Sequence, residues 1–349
     1  MLDPKKILVV RRDNIGDLVC TTPLLRALRL RFPAARIDVL VNSYCAPVLE
    51  GNPNVDRLWQ YTKAHHREAG ESWLAVHARR LTEVVRLRRE RYDLAVLAKP
   101  ECLPRPLQWA RLAGARRVLG FVDPGNPLGR HIDLQVPLDR STEEHVVAAS
   151  HRLLRPLGIA GEPGPLEIHP RADRAGEVRS ALAERAMGGC APLVGLHISA
   201  RKERQRWPAE SFAELAHRIR ARFPEAGFVL LWSPGDEANP RHPGDDAKAR
   251  DVQRAAEGLP LLAWPTETLD RLIAGLSVLD CLVCSDGGAM HIAAALAKPI
   301  VCFFGNSSAA VWHPWGVPHE LLQPASRTVA DIAPAEAEQA FARLLERRV

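Results

Sequence analysis

The sequence predicts an α/β protein made of two Rossmann-like halves. Two strand–turn–helix segments near opposite ends of the chain, and a Gly- and Pro-rich stretch between them, carry that prediction. In the C-terminal segment, Cys281 to Cys284 reads as a buried strand and Ser285, Asp286 and two glycines as a turn. A helix begins near Ala289, and a second apolar strand follows Lys298 and Pro299, which makes a βαβ unit. Such a turn aims free backbone N–H groups and the positive end of a helix dipole at one spot, which suits a phosphate. The N-terminal segment repeats the logic: KILVV (Lys6–Val10), then RRDNIGD, then the helical run TTPLLRALRLRF. Gly158 to Pro170 (GIAGEPGPLEIHP) is the linker candidate. The expected domains are residues 1–165 and 166–333, with a final helix over 334–349 that is expected to lie back on the first half.

In the first half, strands are expected near 6–11, 36–41, 93–98 and 117–121. Helices near 21–32, 72–91 and 104–113 alternate with them, as a mostly parallel sheet requires. Thr21 or Thr22 can cap the first helix, with Pro23 in its first turn, and Leu24, Leu25, Leu28 and Phe32 recur at helical spacing. A helix near 143–157 closes this half. The second half restarts with strands at 193–198, 228–232, 280–284 and 300–304. Helices are expected there at 209–223, 247–257, 267–276 and 289–297. Asp17 and Asp286 both fall just past the carboxyl end of a strand, where open α/β sheets bind ligands. Two such turns offered to a shared ligand imply a cleft between the halves.

Composition narrows the function classes. At 349 residues, two domains with real cores are expected. No apolar run reaches the roughly 18 residues of a membrane span, and ILVV between basic pairs is too short for a signal peptide, so a cytoplasmic protein is expected. Seven cysteines, an odd count lying mostly in apolar segments, suit reduced thiols. Cys281-x-x-Cys284 lies inside a strand, where residues three apart point to opposite faces, so core packing is the favoured reading. Forty-seven Lys and Arg against 41 Asp and Glu give a net charge of +6. Much of the excess sits in HARRLTEVVRLRRER, 77–91, which reads as an amphipathic helix with a solvated basic face. Its alternative is attraction to an anionic substrate or to the anionic inner membrane leaflet. No nucleic-acid module accompanies the charge. Neither turn carries G-x-G-x-x-G, which disfavours a dinucleotide oxidoreductase, and no metal-ligand spacing is present.

Three motifs, RRDNIGDLVCTTPLLRAL, GLHISARKERQRWPAESFAELA and SDGGAMHIAAALAKPIVCFFG, together resemble glycosyltransferase family 9, the ADP-heptose:lipopolysaccharide heptosyltransferases. Their order and spacing extend the resemblance over nearly the whole chain. It implies a GT-B fold, with donor nucleotide mainly on the C-terminal domain and acceptor on the N-terminal one. It also implies an inverting, metal-independent transfer of heptose from ADP-heptose to an anionic glycolipid acceptor, with no cofactor. A transferase of the same fold moving another sugar onto a surface polysaccharide or protein is the alternative, ahead of a sugar-nucleotide epimerase.

By the resemblance Asp17 is the catalytic base, in preference to a simple helix cap, with Asn14, Gly16 and Lys99 beside it on the acceptor side. Gly287, Gly288 and Ala289 match the pyrophosphate turn, and Asp286 a residue that contacts the donor sugar. His291 faces either the phosphates or the core. Glu237 matches a ribose-binding carboxylate, or is one acid in a polar loop. Ser199 completes the donor side. The departure from the family pattern is Gln205, where many members carry a lysine that neutralises the donor phosphates. Lys202, Arg204 and Arg206 stand close enough in sequence to substitute for it, an arginine binding bidentately. Trp207 and Pro208 read as a packing element at a helix start.

Overall fold

A computed structural model describes residues 2–61, 82–141, 143–239 and 244–347. The chain divides into two units between Glu167 and Ile168.

In the first unit, strands β1 (Lys6–Val10), β2 (Arg36–Asn42) and β3 (Arg57–Tyr61) lie on one side of the sheet, and β4 (Leu94–Leu97), β5 (Arg117–Val122) and β6 (Leu134–Pro137) on the other. Their order is β3-β2-β1-β4-β5-β6 and every pairing is parallel. Central parallel strands are covered on both faces, which is why β1 is almost continuously apolar and Ile7, Leu8 and Val9 are fully buried. The helices are α1 (Ile15–Val19), α2 (Thr22–Arg31), α3 (82–89), α4 (Pro104–Leu112) and α5 (Val146–Arg152). Leu24, Leu25 and Leu28 of α2 are buried, as their spacing requires. Residues 72–81 of the expected 72–91 helix lie outside the described residues. The expected helix over 143–157 is the shorter α5 followed by a 3-10 turn at Arg155–Leu157.

The second unit opens with α6 (Ala172–Glu184) and β7 (Leu193–His197), then α7 (Ala209–Arg222), β8 (Gly227–Trp232), α8 (Asp246–Ala255) and β9 (Leu261–Pro265). It continues through α9 (Leu269–Ser277), β10 (Cys281–Ser285), α10 (Gly288–Ala295), β11 (Ile300–Phe303), α11 (Ala309–Trp312), β12 (His319–Leu322) and α12 (Pro334–Glu346). Its sheet, β12-β11-β10-β7-β8-β9, is again all parallel. Counted from β7, this is the strand order of the first unit, the doubly wound order whose reversal point is a ligand crevice. That point lies between β1 and β4 in the first sheet and between β7 and β10 in the second.

The terminal helix departs from expectation. α12 packs on α7, β11 and β12, and Ala337, Ala340, Phe341 and Leu344 lie in the core of the second unit. The Phe341 ring meets Phe223 edge-on at 5.8 Å. A fully buried phenylalanine stabilises by about 3 kcal/mol, so this apolar stripe holds the helix in its own unit.

Candidate functional site

In the first sheet the reversal point is built around a buried arginine. Arg11 follows β1 directly and is 2% exposed. Its guanidinium donates to the Ala98 carbonyl just past β4, pairs with Asp17 Oδ1 at 2.9 Å and with Asp13 at 3.3 Å. A buried cation is tolerated when carboxylates and a carbonyl replace its water, which is the arrangement here. Lys99, the second residue after β4, extends the web through Asp13 at 3.2 Å and Glu101 at 3.4 Å. Partial burial opposes the Lys99 charge, but the two acids outweigh it and raise its pKa.

Asp17 sits in the first turn of α1, and its Oδ2 accepts the Asn14 backbone N–H at 3.2 Å. Asp17 is thus the acid of a capping box within α1, with a second, fixed contact to Arg11. Gly16 is buried beside it and Asn14 is exposed. The structure thus gathers Asp17, Asn14, Gly16 and Lys99 around one end of the sheet. Sequence reading missed the two residues that organise them, Arg11 and Asp13. The doubled Arg-Arg-Asp after an apolar strand was the available signal.

At the second reversal point, β10 delivers Asp286 to the sheet's carboxyl end, where its backbone N–H bonds the Phe303 carbonyl at 2.9 Å. The Asp286 carboxylate accepts from Gln205 Nε2 at 2.9 Å and from the Ser307 hydroxyl at 2.6 Å. Burial raises its pKa, and those two donors act against the rise. Gly287 and Gly288 follow, and α10 begins with unbonded N–H groups pointing out of the turn. Gly287 has an extended backbone (φ 167°). A Cβ built there meets nothing nearer than the Ser285 carbonyl at 3.9 Å. The protein's own packing therefore leaves that space open. Ala289 is buried in α10, and so is His291, whose ring stands edge-to-face to Trp312 at 5.9 Å.

The remaining donor-side residues fall into two groups. Lys202 and Arg204 are exposed on and beside the 3-10 turn Glu203–Gln205. Arg206 is engaged instead: it bonds the Ala200 carbonyl at 3.1 Å, Glu237 at 2.5 Å and the buried Asp245. The idea that it replaces a missing lysine at the phosphates gives way to this role as a latch on the loop after β8. Glu237 is held by that latch on the rim of an open groove lined also by Asp236, Ala247 and Arg250. The Ser199 hydroxyl accepts the Ser233 N–H at 2.9 Å, tying the ends of β7 and β8. Lys248 bonds the Ile198 carbonyl at 2.9 Å, and burial lowers its pKa to about 8. Trp207 is buried, donates to the Ile332 carbonyl at 2.9 Å and packs on Phe212 and Phe303, which is the expected packing role. Gly305 was quoted within a motif but not assigned a task. A Cβ at Gly305 would stand 2.4 Å from the Arg204 carbonyl oxygen, so glycine lets the 203–205 turn reach the end of β11.

Among the described residues, no group of three His, Cys, Asp or Glu side chains is placed to hold a metal ion. No helix among them is long and apolar enough to cross a membrane.

Comparison with known proteins bears on the family and the fold. The family model "Glycosyltransferase family 9 (heptosyltransferase)" matches residues 82–330, well over half of the chain. Lipopolysaccharide heptosyltransferase 2 of Escherichia coli K12 is 28% identical over 312 residues, covering 87% of this chain and 83% of that protein. A family 9 glycosyl transferase from Veillonella parvula superposes with a TM-score of 0.80 at 20% identity, over 99% of this chain and 98% of that one. The E. coli heptosyltransferase WaaC, solved with ADP, superposes with a TM-score of 0.75 at 16% identity, over 97% and 99% of the two chains.

Proposed function

Because the chain belongs to glycosyltransferase family 9, and is therefore a glycosyltransferase of GT-B fold, we propose that it moves heptose from ADP-heptose to a lipopolysaccharide inner-core acceptor. One observation of the structure carries the donor half of this reading. At the second reversal point Asp286 directly precedes the N-terminus of α10, which no side chain caps, with open space over Gly287. A diphosphate is met there by the N–H groups, and a sugar hydroxyl by the carboxylate. The basic side of α3 suits peripheral contact with anionic lipid.

The reaction is a single displacement that inverts the anomeric carbon. The acceptor hydroxyl passes its proton to Asp17 as its oxygen bonds to that carbon, and the bond to the diphosphate breaks. Arg11 fixes one Asp17 oxygen, so the base keeps one orientation. The leaving ADP takes the bonding pair, and the α10 N–H groups stabilise its charge without a metal ion.

A panel of nucleotides and sugar nucleotides tests this. ADP and ADP-heptose should stabilise the chain most, by roughly 2.7 kcal/mol at about 100 times the dissociation constant. Turnover with ADP-heptose should persist in excess chelator. Preferential stabilisation by UDP-sugars would replace heptose with another sugar, the reading weighed from Gln205.

A further inference from the structure

Gln205 stands where the family pattern leads one to expect a cation, and its surroundings show what the amide does instead. It is 4% exposed, at the end of the turn that Gly305 admits. Its Nε2 lies 2.9 Å from Asp286 Oδ2 and 3.0 Å from Ser307 Oγ, and Ser307 Oγ lies 2.6 Å from the same carboxylate oxygen. The donor directions follow from the chemistry of the three groups. A carboxylate oxygen accepts, so the amide turns its nitrogen toward Asp286. Ser307 has one proton and spends it on Asp286, so its oxygen accepts from the same Gln205 nitrogen. Gln323 pins the Gly305 and Ser307 carbonyls at 2.9 and 3.0 Å and so fixes the serine's place.

The Gln205 amide nitrogen is therefore committed to partners within the protein. The atoms left over are Gln205 Oε1 and Asp286 Oδ1, which take no hydrogen bond from any described residue. Both are acceptors. Unoccupied acceptors repel a phosphate oxygen and attract hydroxyl groups.

We propose that Gln205 forms, with Asp286, an acceptor pair that reads hydroxyl groups of the sugar on the donor and takes no part in neutralising the donor phosphates. The inference rests on the reading above that the second unit binds the nucleotide sugar, and it makes Gln205 a specificity-determining residue. Diphosphate charge is then met by the α10 N–H groups and by the exposed Lys202 and Arg204, since Arg206 is occupied by Glu237 and Asp245. A lysine at 205 would serve the phosphates; the amide turns the same position toward the sugar.

The test compares ADP with ADP-heptose by calorimetric titration of the unsubstituted chain, Gln205→Met and Gln205→Lys. Methionine keeps the volume and removes every polar atom. In Gln205→Met, ADP affinity should stay within about twofold, while ADP-heptose should bind about 5- to 10-fold more weakly, the loss of one hydrogen bond to an uncharged hydroxyl. In Gln205→Lys the preference for ADP-heptose over ADP should fall as well, with ADP itself bound at least as tightly as before. Equal losses for both ligands in Gln205→Met would return the residue to the phosphates, and no loss for either would make it a structural peg; each result overturns the proposal. If the methionine variant does not fold, the ADP-heptose to ADP ratio in Gln205→Lys decides. Should the unsubstituted chain bind a different sugar nucleotide, the heptose reading fails separately, and the same ratio is taken between that donor and its sugar-free nucleotide.

Discussion

The two sheets share one strand order, yet the carboxyl ends of their central strands are furnished in opposite ways. After β1 and β4 the chain places two cations, Arg11 and Lys99, among Asp13, Asp17 and Glu101, and the web is held by ion pairs. After β7 and β10 it places a half-buried carboxylate, Asp286, and satisfies it with an amide and a hydroxyl. There the nearby Arg206 is turned away onto Glu237 and Asp245. In the proposed reaction, the first web uses charge to fix the carboxylate that takes the proton. The second, on the same proposal, uses neutral dipoles to hold a carboxylate that accepts hydrogen bonds from a ligand already carrying negative charge. Topology decides where the crevice lies, and the few residues following each strand decide its chemistry.

The sharpest way to break the contrast is to neutralise the acid that the charged web holds. As a general base, Asp17 acts in the transition state, so Asp17→Asn should lower turnover about 10²- to 10⁴-fold. Asparagine can still accept the Asn14 N–H and cap α1, so the melting temperature and ADP affinity should barely move. Steady-state rates beside ADP titrations check this. Near-parental turnover would leave the first web with a structural task alone and remove Asp17 as the base.

A second comparison sets stability against stability. Arg11→Met removes a buried guanidinium, leaving Asp17 without its cation and Asp13 with Lys99 alone. Because both acids keep some contact with water, the cost should be near the lower end for a broken buried pair, about 3 kcal/mol. Gln205→Met, which removes one hydrogen bond to a carboxylate and one to a hydroxyl, should cost less, about 2 kcal/mol. Urea unfolding of both variants measures the difference. Equal costs would mean that the first web is no more dependent on charge than the second.

How much of this was legible in the sequence follows from what each strand must do. The expected strands are the inner ones, β1, β2, β4 and β5 in the first sheet and β7, β8, β10 and β11 in the second. Buried on both faces, they read as apolar runs. The strands that sequence reading did not find are β3, β6, β9 and β12, the four edges. An edge strand needs burial on fewer sides, and RLWQY or HELL carries too little apolar pattern to stand out. Among site residues, Asp17 and Asp286 were visible because each follows an apolar strand and precedes a helix. Gln205 was visible as a departure from a pattern, but its partner Ser307 lies 102 residues away, and no local spacing announces such a pair. The fate of Arg206 was hidden for the same reason: Glu237 and Asp245 are 31 and 39 residues distant. Side chains joined across strand ends are a property of the sheet, and sequence proximity alone overstated what Arg206 was free to do.

Two glycines at the carboxyl end of the second sheet separate support from site. Gly305→Ala puts a methyl group 2.4 Å from the Arg204 carbonyl oxygen and 3.3 Å from that of Arg327, both backbone atoms with little room to yield. The 203–205 turn must shift, Gln205 loses its reach to Asp286, and stability should fall by about 1–3 kcal/mol. Gly287→Ala makes no comparable demand, since its backbone is extended and nothing lies within 3.9 Å of the new carbon. Its stability should hold while ADP affinity falls, because the space the methyl group takes is the space over the α10 N–H groups. Melting curves and ADP titrations on the same two proteins read both quantities. An ADP affinity unchanged in Gly287→Ala would move the diphosphate away from the turn, and the neutral web around Asp286 would then have no ligand to explain why it lacks a cation.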